Sequence, residues 1–293
     1  MAALYFHIPF CRKACTYCDF HFSTSLGAQD RVLDAMSKEL NERASELGGD
    51  SVGTIYFGGG TPSLIDPARI ATFVQLAHGL FRVVDAEITL EANPDDITPA
   101  RLDAWKAAGI TRISLGTQSF REDRLKWMGR AHTATQALES IAAIARAGFA
   151  SWTIDLIYGL PEMTLAEWDE QLTIALDHGM PHLSAYGLTV EPRTALAHQV
   201  KQGLIVPGDD EAQSAQFDRL MERMKTAGLV HYEISNFGRE GDFSRHNTSY
   251  WNGTHYLGIG PSAHSFKGNV RRWNVSNNQR YLVSVEGGTA FSE

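Results

Sequence analysis

Short apolar runs and longer one-sided periodic stretches alternate over the first two thirds of the chain. Leu4–Ile8, Thr54–Phe57, Glu87–Glu91, Arg112–Gly116, Thr153–Tyr158 and His182–Leu188 read as strands. Between them, helical spacing runs over 29–47, 67–80, 98–108, 133–147 and 164–178. In the first of these, Val32, Leu33, Met36, Leu40, Ala44 and Leu47 recur on one side. Gly109, Gly148 and Gly179 stand where a left-handed C-cap favours glycine, while Thr98-Pro99 and Thr164 suit helix starts. Strict strand–helix alternation implies a parallel sheet with right-handed crossovers, either barrel-like or open and doubly wound.

Beyond Leu188 the alternation fades. Helices near 194–203 and 209–227 precede a strand at His231–Ser235, and a Gly-, Asn- and aromatic-rich stretch runs from Asn236 to Asn278. No linker signal separates the halves. The expected organisation is an α/β unit over 1–190 and a mixed α+β extension over 191–293 packed on it.

Composition narrows the class. Hydrophobic residues make up 43% of the 293, enough for a sizeable core. A net charge of −8 argues against non-specific nucleic-acid binding. No stretch approaches the ~20 apolar residues of a membrane-spanning helix, and no signal peptide is evident, so a soluble cytoplasmic protein is expected. The three cysteines, Cys11, Cys15 and Cys18, fall within eight residues. An odd, clustered set is no disulfide framework and suits a reducing compartment.

These cysteines follow the first strand in Leu4-Tyr-Phe-His-Ile-Pro-Phe-Cys11-Arg-Lys-Ala-Cys15-Thr-Tyr-Cys18-Asp19. A short loop with CxxxCxxC spacing can deliver three thiolates to one face of a 4Fe–4S cubane, which normally takes four. One iron is then open to the amino and carboxylate groups of S-adenosylmethionine, whose sulfonium–carbon bond a reduced cluster cleaves. The alternative is zinc, with His7 or His21 as fourth ligand, although no second cysteine pair is present. With Tyr17 just before the last cysteine, the loop resembles the radical S-adenosylmethionine superfamily signature.

Further candidates sit at strand ends. Gly58-Gly-Gly-Thr-Pro62 follows the second strand and lets backbone approach a ligand; it lacks the Lys-Ser/Thr of a phosphate loop. Glu91 ends the third strand, Gln118 follows the fourth, Arg130 lies in the next loop, and Asp155 lies within the fifth. Together they point to one rim of a parallel barrel. The chain is similar from Tyr5 to about Trp273 to the coproporphyrinogen-dehydrogenase-like subgroup. That resemblance implies an incomplete (β/α)6 barrel of the radical S-adenosylmethionine type. It further implies S-adenosylmethionine binding by Tyr5, Tyr17, Gly59, Gly60, Thr61, Glu91, Gln118, Arg130 and Asp155.

Two branches of the subgroup differ in function. One is an oxygen-independent coproporphyrinogen III dehydrogenase. The other is a heme chaperone, which hands heme to respiratory proteins. The dehydrogenase carries a fourth cysteine where this chain has Phe20, and an extension before the first strand, which here begins almost at Met1. His246-Asn-Thr-Ser-Tyr250-Trp251 matches the HNxxYW motif of the chaperone branch. The resemblance therefore implies heme binding at His246, Tyr250 and Trp251, with imidazole as axial ligand. It also implies an electron donor and a heme-accepting protein, with the membrane surface as a meeting place. His264 can line the same pocket or cap a turn; Arg271 and Arg272 can pair with propionates or form a solvated face. Both branches normally continue into a further helical domain, whereas this sequence ends at Glu293.

Overall fold

The computed structural model describes residues 1–289 and Ser292. Six parallel strands form its centre: β1 (Ala2–Ile8), β2 (Val52–Gly59), β3 (Val83–Ala92), β4 (Arg112–Gln118), β5 (Ser151–Tyr158) and β6 (His182–Gly187). The connecting helices are α1 (Gln29–Arg43), α2 (Pro67–Leu80), α3 (Pro99–Ala107), α4 (Glu122–Met128), α5 (Ala134–Ala147) and α6 (Leu165–Asp177). The expected α/β alternation is present; the first five strands reach beyond their apolar runs because ladder hydrogen bonds continue into the flanking residues, while the sixth stops one residue short, at Gly187. Of these helices only α4 has no counterpart in the sequence pattern; seven residues are too short for a periodic signal.

Each central strand alternates. Leu4, Phe6 and Ile8 of β1, Ile55 and Phe57 of β2, and Ile113 and Leu115 of β4 are fully buried in the hydrophobic core. The intervening positions carry polar groups: Tyr5 and His7, Thr54 and Tyr56, Thr89 and Glu91, Arg112 and Ser114, Thr153 and Asp155, His182 and Ser184. Parallel register lines these up across the sheet, Tyr5 beside Tyr56, Tyr56 beside Thr89, and Asp155 beside Ser184. Because strand side chains alternate in direction, the curved sheet has an apolar convex face and a polar lumen.

Local chemistry sets the helix boundaries. Thr98, Thr133 and Thr164 each accept a backbone N–H at a helix start, with a reciprocal Gln136 contact at α5. Gly148 closes α5 at φ 71°, a left-handed conformation that costs glycine little.

The extension comprises α7 (Ala195–Lys201), α8 (Asp210–Thr226), β7 (Val230–His231), β8 (Asn236–Gly238), α9 (Arg245–Trp251), β9 (Tyr256–Ile259), β10 (His264–Lys267), β11 (Val270–Trp273) and α10 (Asn278–Gly287). The strand expected at His231–Ser235 is corrected to the short pair β7 and β8. The polar segment between them is a bend, in which Glu233 accepts the backbone N–H of Ser235. The extension's strands enter the same sheet, whose order is β11-β10-β9-β1-β2-β3-β4-β5-β6-β8-β7. The sheet stays open, with β11 at one edge and β7 at the other.

Candidate functional site

At the C-terminal end of β1 the chain enters the cysteine loop, which is fastened on several sides. The amides of Gly60 and Thr61 donate to the carbonyls of Ile8 and Phe10, both at 2.8 Å. A Cβ at Gly60 would stand 2.7 Å from the Phe10 carbonyl oxygen, so the glycine turn and the cysteine loop pack backbone on backbone. Burial pushes His7 down to about 4, which keeps its ring neutral. Its Nε2–H therefore donates to the His21 carbonyl (2.8 Å), and Nδ1 accepts from the Tyr5 hydroxyl (3.2 Å). Further out, the His21 ring is bonded to Asn278 of α10 at 2.7 Å.

Cys11, Cys15 and Cys18 face one cavity of about 430 Å³. The Thr61 hydroxyl donates to the Cys11 sulfur at 3.4 Å, and Arg130 Nη1 to the Cys15 sulfur at 3.5 Å. Burial pushes the Cys18 thiol up to about 12 and raises that of Cys11. Arg130 is itself held by the Gly116 carbonyl (2.8 Å) and by Asn93 Oδ1 (2.7 Å).

The cavity is walled by eight of the nine residues expected to bind S-adenosylmethionine: Tyr17, Gly59, Gly60, Thr61, Glu91, Gln118, Arg130 and Asp155. Tyr5 lies beneath instead, stacked on Tyr56 with centroids 6.1 Å apart. Gln118 holds a left-handed φ of 64°, uncommon outside glycine and recurrent at functional sites. Glu91 accepts the Tyr56 hydroxyl (2.8 Å) and the Gly59 amide (3.2 Å). Desolvation pushes Glu91 up to about 7, with repulsion from Asp155 adding to it. Desolvation likewise pushes Asp155 up to about 6, against hydrogen bonds from Ser184 and Ser114. Two half-buried carboxyls with no bonded counter-ion among the described residues suit a ligand that brings positive charge and hydroxyl donors.

Sequence reasoning missed Asn93 and Tyr56. Asn93 stands two residues after Glu91 and bridges Arg130 to the Thr61 hydroxyl (3.3 Å). Tyr56 is betrayed only by period-two alternation within β2, which places it on the lumen side with Thr54.

Residues 5–173 match the Radical SAM superfamily model. The chain belongs to the radical SAM superfamily. It is 38% identical over 291 residues to the heme chaperone HemW of Mycobacterium tuberculosis, covering 98% of this chain and 75% of that one. To HemW of Bacillus subtilis it is 32% identical, covering 96% and 75%. Among solved structures, the coproporphyrinogen III oxidase HemN of Escherichia coli, a radical SAM enzyme, superposes with a TM-score of 0.84. Its identity is 26%, with 99% of this chain and 70% of that one covered. Superfamily membership implies a 4Fe–4S cluster and S-adenosylmethionine, and the residues present fit both. Among the described residues no three His, Cys, Asp or Glu side chains converge on a single metal ion, as zinc would demand. A cubane instead takes one thiolate on each of three irons, in a cavity that holds further ligand-sized space.

Of the three heme candidates, His246 and Tyr250 are in contact and Trp251 stands apart from them. His246 is 1% exposed, with Nδ1 on the Thr54 hydroxyl (2.9 Å), Nε2 on the Tyr250 hydroxyl (3.0 Å), and its ring stacked on Tyr56 (4.7 Å). Both nitrogens are engaged inside the lumen, because the first turn of α9 plugs the barrel below Glu91. Burial pushes this imidazole down to about 3. Tyr250 and Trp251 are exposed on the same helix, Trp251 donating to Glu233 at 3.2 Å.

Proposed function

We propose that this radical SAM protein is a heme chaperone that binds one 4Fe–4S cluster through Cys11, Cys15 and Cys18, binds S-adenosylmethionine beside it, and transfers heme to an acceptor protein. The likeness to HemW over 98% of the chain carries this reading. Phe20 supports it: 66% exposed on the cavity rim, it stands where the dehydrogenase branch has a further cysteine. When bound, the cluster supplies the electron for reductive cleavage of the sulfonium–carbon bond. The chain's own parts are positional. The glycine turn and Thr61 hold the loop and offer backbone polar groups, Glu91 and Asp155 receive positive charge and hydroxyls, and Arg130 with Asn93 braces the thiolate side.

The reading includes an electron donor for the cluster and a heme acceptor reached in the cytoplasm or at a membrane surface. Among the described residues no helix is long and apolar enough to cross a membrane.

The likeness to HemN favours a second reading, oxidative decarboxylation of coproporphyrinogen III. Anaerobic cluster reconstitution followed by parallel assays separates the two. The chaperone reading expects about four irons per chain, stoichiometric hemin binding and no protoporphyrinogen. Protoporphyrinogen formation, or failure to bind hemin, would sink it.

A further inference from the structure

The barrel's open edge carries a face that the site above does not use. In β10, His264 and Phe266 are two residues apart and share a face; antiparallel pairing sets Trp273 opposite His264 and Arg271 opposite Phe266. Phe266 also pairs with Tyr256, which pairs with Ala3 on β1, two residues from the inward-pointing Tyr5 and on the same face. The face is therefore a continuation of the barrel's inner surface past β1. Its rings form a chain: Tyr250 to Tyr256 at 4.9 Å, Tyr256 to Phe266 at 6.0 Å, and Arg271 over Phe266 at 5.8 Å. Beside them His264 lies over Trp273, centroids 6.1 Å apart and planes tilted 30°.

Two polar groups on this face are unspent. His264 is exposed, and among the described residues neither ring nitrogen takes a hydrogen bond. Arg271 is exposed and has no carboxylate partner among them, unlike Arg272 on the opposite face, which pairs with Glu46. An aromatic wall, a free imidazole and a free guanidinium match a flat apolar macrocycle, an axial iron position and a propionate. The other motif histidine lacks this freedom, since His246 is enclosed and doubly bonded.

We infer that the inner face of the β9–β11 edge is the heme seat, with His264 as axial ligand, Trp273 and Phe266 against the macrocycle and Arg271 on a propionate. The assignment rests on the heme reading proposed above and replaces His246 as the ligand. Partial burial and the neighbouring guanidinium both lower the His264 pKa, which favours the neutral imidazole that iron requires.

Hemin titration of the full chain, followed by optical and electron paramagnetic resonance spectra, tests it. Wild type is expected to show a histidine-ligated ferric heme. His264→Ala is expected to lose that signature and at least tenfold in affinity, and added imidazole to restore the signature. Arg271→Gln is expected to weaken binding several-fold with the spectrum unchanged. Because both side chains are exposed, circular dichroism should match wild type. A His264→Ala protein that keeps both affinity and signature would overturn the site while leaving the heme reading intact; a wild type that binds no hemin would end the reading itself.

Discussion

Desolvation raises the pKa of Glu39 in the core and of the half-buried Glu91 and Asp155 in the lumen, but the two sets are partnered differently. Glu39, on α1, is fully buried and saturated. Arg43, Asn274, Tyr281 and the Gly260 amide all donate to it, at 2.5–2.8 Å. Arg43 goes on to the Gly258 carbonyl (2.9 Å), Ser265 (3.1 Å) and Glu46 (2.9 Å), so one ion pair ties α1 to β9, β10 and α10. Among the described residues Glu91 and Asp155 in the lumen have no cation within ion-pair distance. Burial offset by an ion pair and three further donors, although desolvation still raises the Glu39 pKa, staples the extension to the barrel. Burial left uncompensated keeps two carboxyls close to neutrality and ready for a ligand to complete.

Glu39→Ala should have the largest effect, about 3–5 kcal/mol of lost stability, because it breaks a buried ion pair and leaves the Asn274, Tyr281 and Gly260 donors without their acceptor. Urea denaturation measures this, and a loss below about 1 kcal/mol would mean the pair is not the staple described. Glu91→Gln should act with the opposite sign. In the fold Glu91 titrates near 7, above its ordinary 4.5, so its contribution is fully present below about pH 4.5 and lost as pH rises through 7. Removing the charge should therefore stabilise the ligand-free protein on the order of 3 kcal/mol at pH 8 and leave pH 4 unchanged. The same variant should weaken S-adenosylmethionine binding at least tenfold by equilibrium dialysis. Equal stability changes at both pH values would contradict an uncompensated carboxyl.

Smaller effects probe how the cysteine loop is held. Gly60→Ala drives a methyl into the backbone of Ile8 and Phe10 and should cost about 2 kcal/mol, with iron content after reconstitution falling in step. Thr61→Val removes the hydroxyl that donates to Cys11 and should cost about 1 kcal/mol. Its sharper readout is a shifted cluster reduction potential by electrochemistry, because a hydrogen bond to a cluster sulfur tunes it.

The proposed heme seat lies apart from the motif histidine. The stretch His246 to Trp251 is visible as a motif, yet a short helix encloses His246 in the lumen with its Nε2 on the Tyr250 hydroxyl. The residue that meets an open aromatic face is His264, eighteen positions later. The sequence offers it only as a pocket-lining or turn-capping residue, because its setting depends on β9 pairing with β1, Tyr256 beside Ala3.

Three cysteines at fixed spacing, a glycine turn one strand later and polar residues at successive strand ends were determined by the sequence alone. Their effect follows from bonds a few residues long and from the direction that alternating strand and helix impose. Which polar residues face one another was decided by tertiary structure. Strand register gathers Tyr56, Glu91 and Asp155 into one lumen, and among the described residues the sheet edge leaves His264 and Arg271 without a hydrogen-bond or ion-pair partner. Desolvation then sets the charge of each group, and desolvation is a property of the folded surroundings.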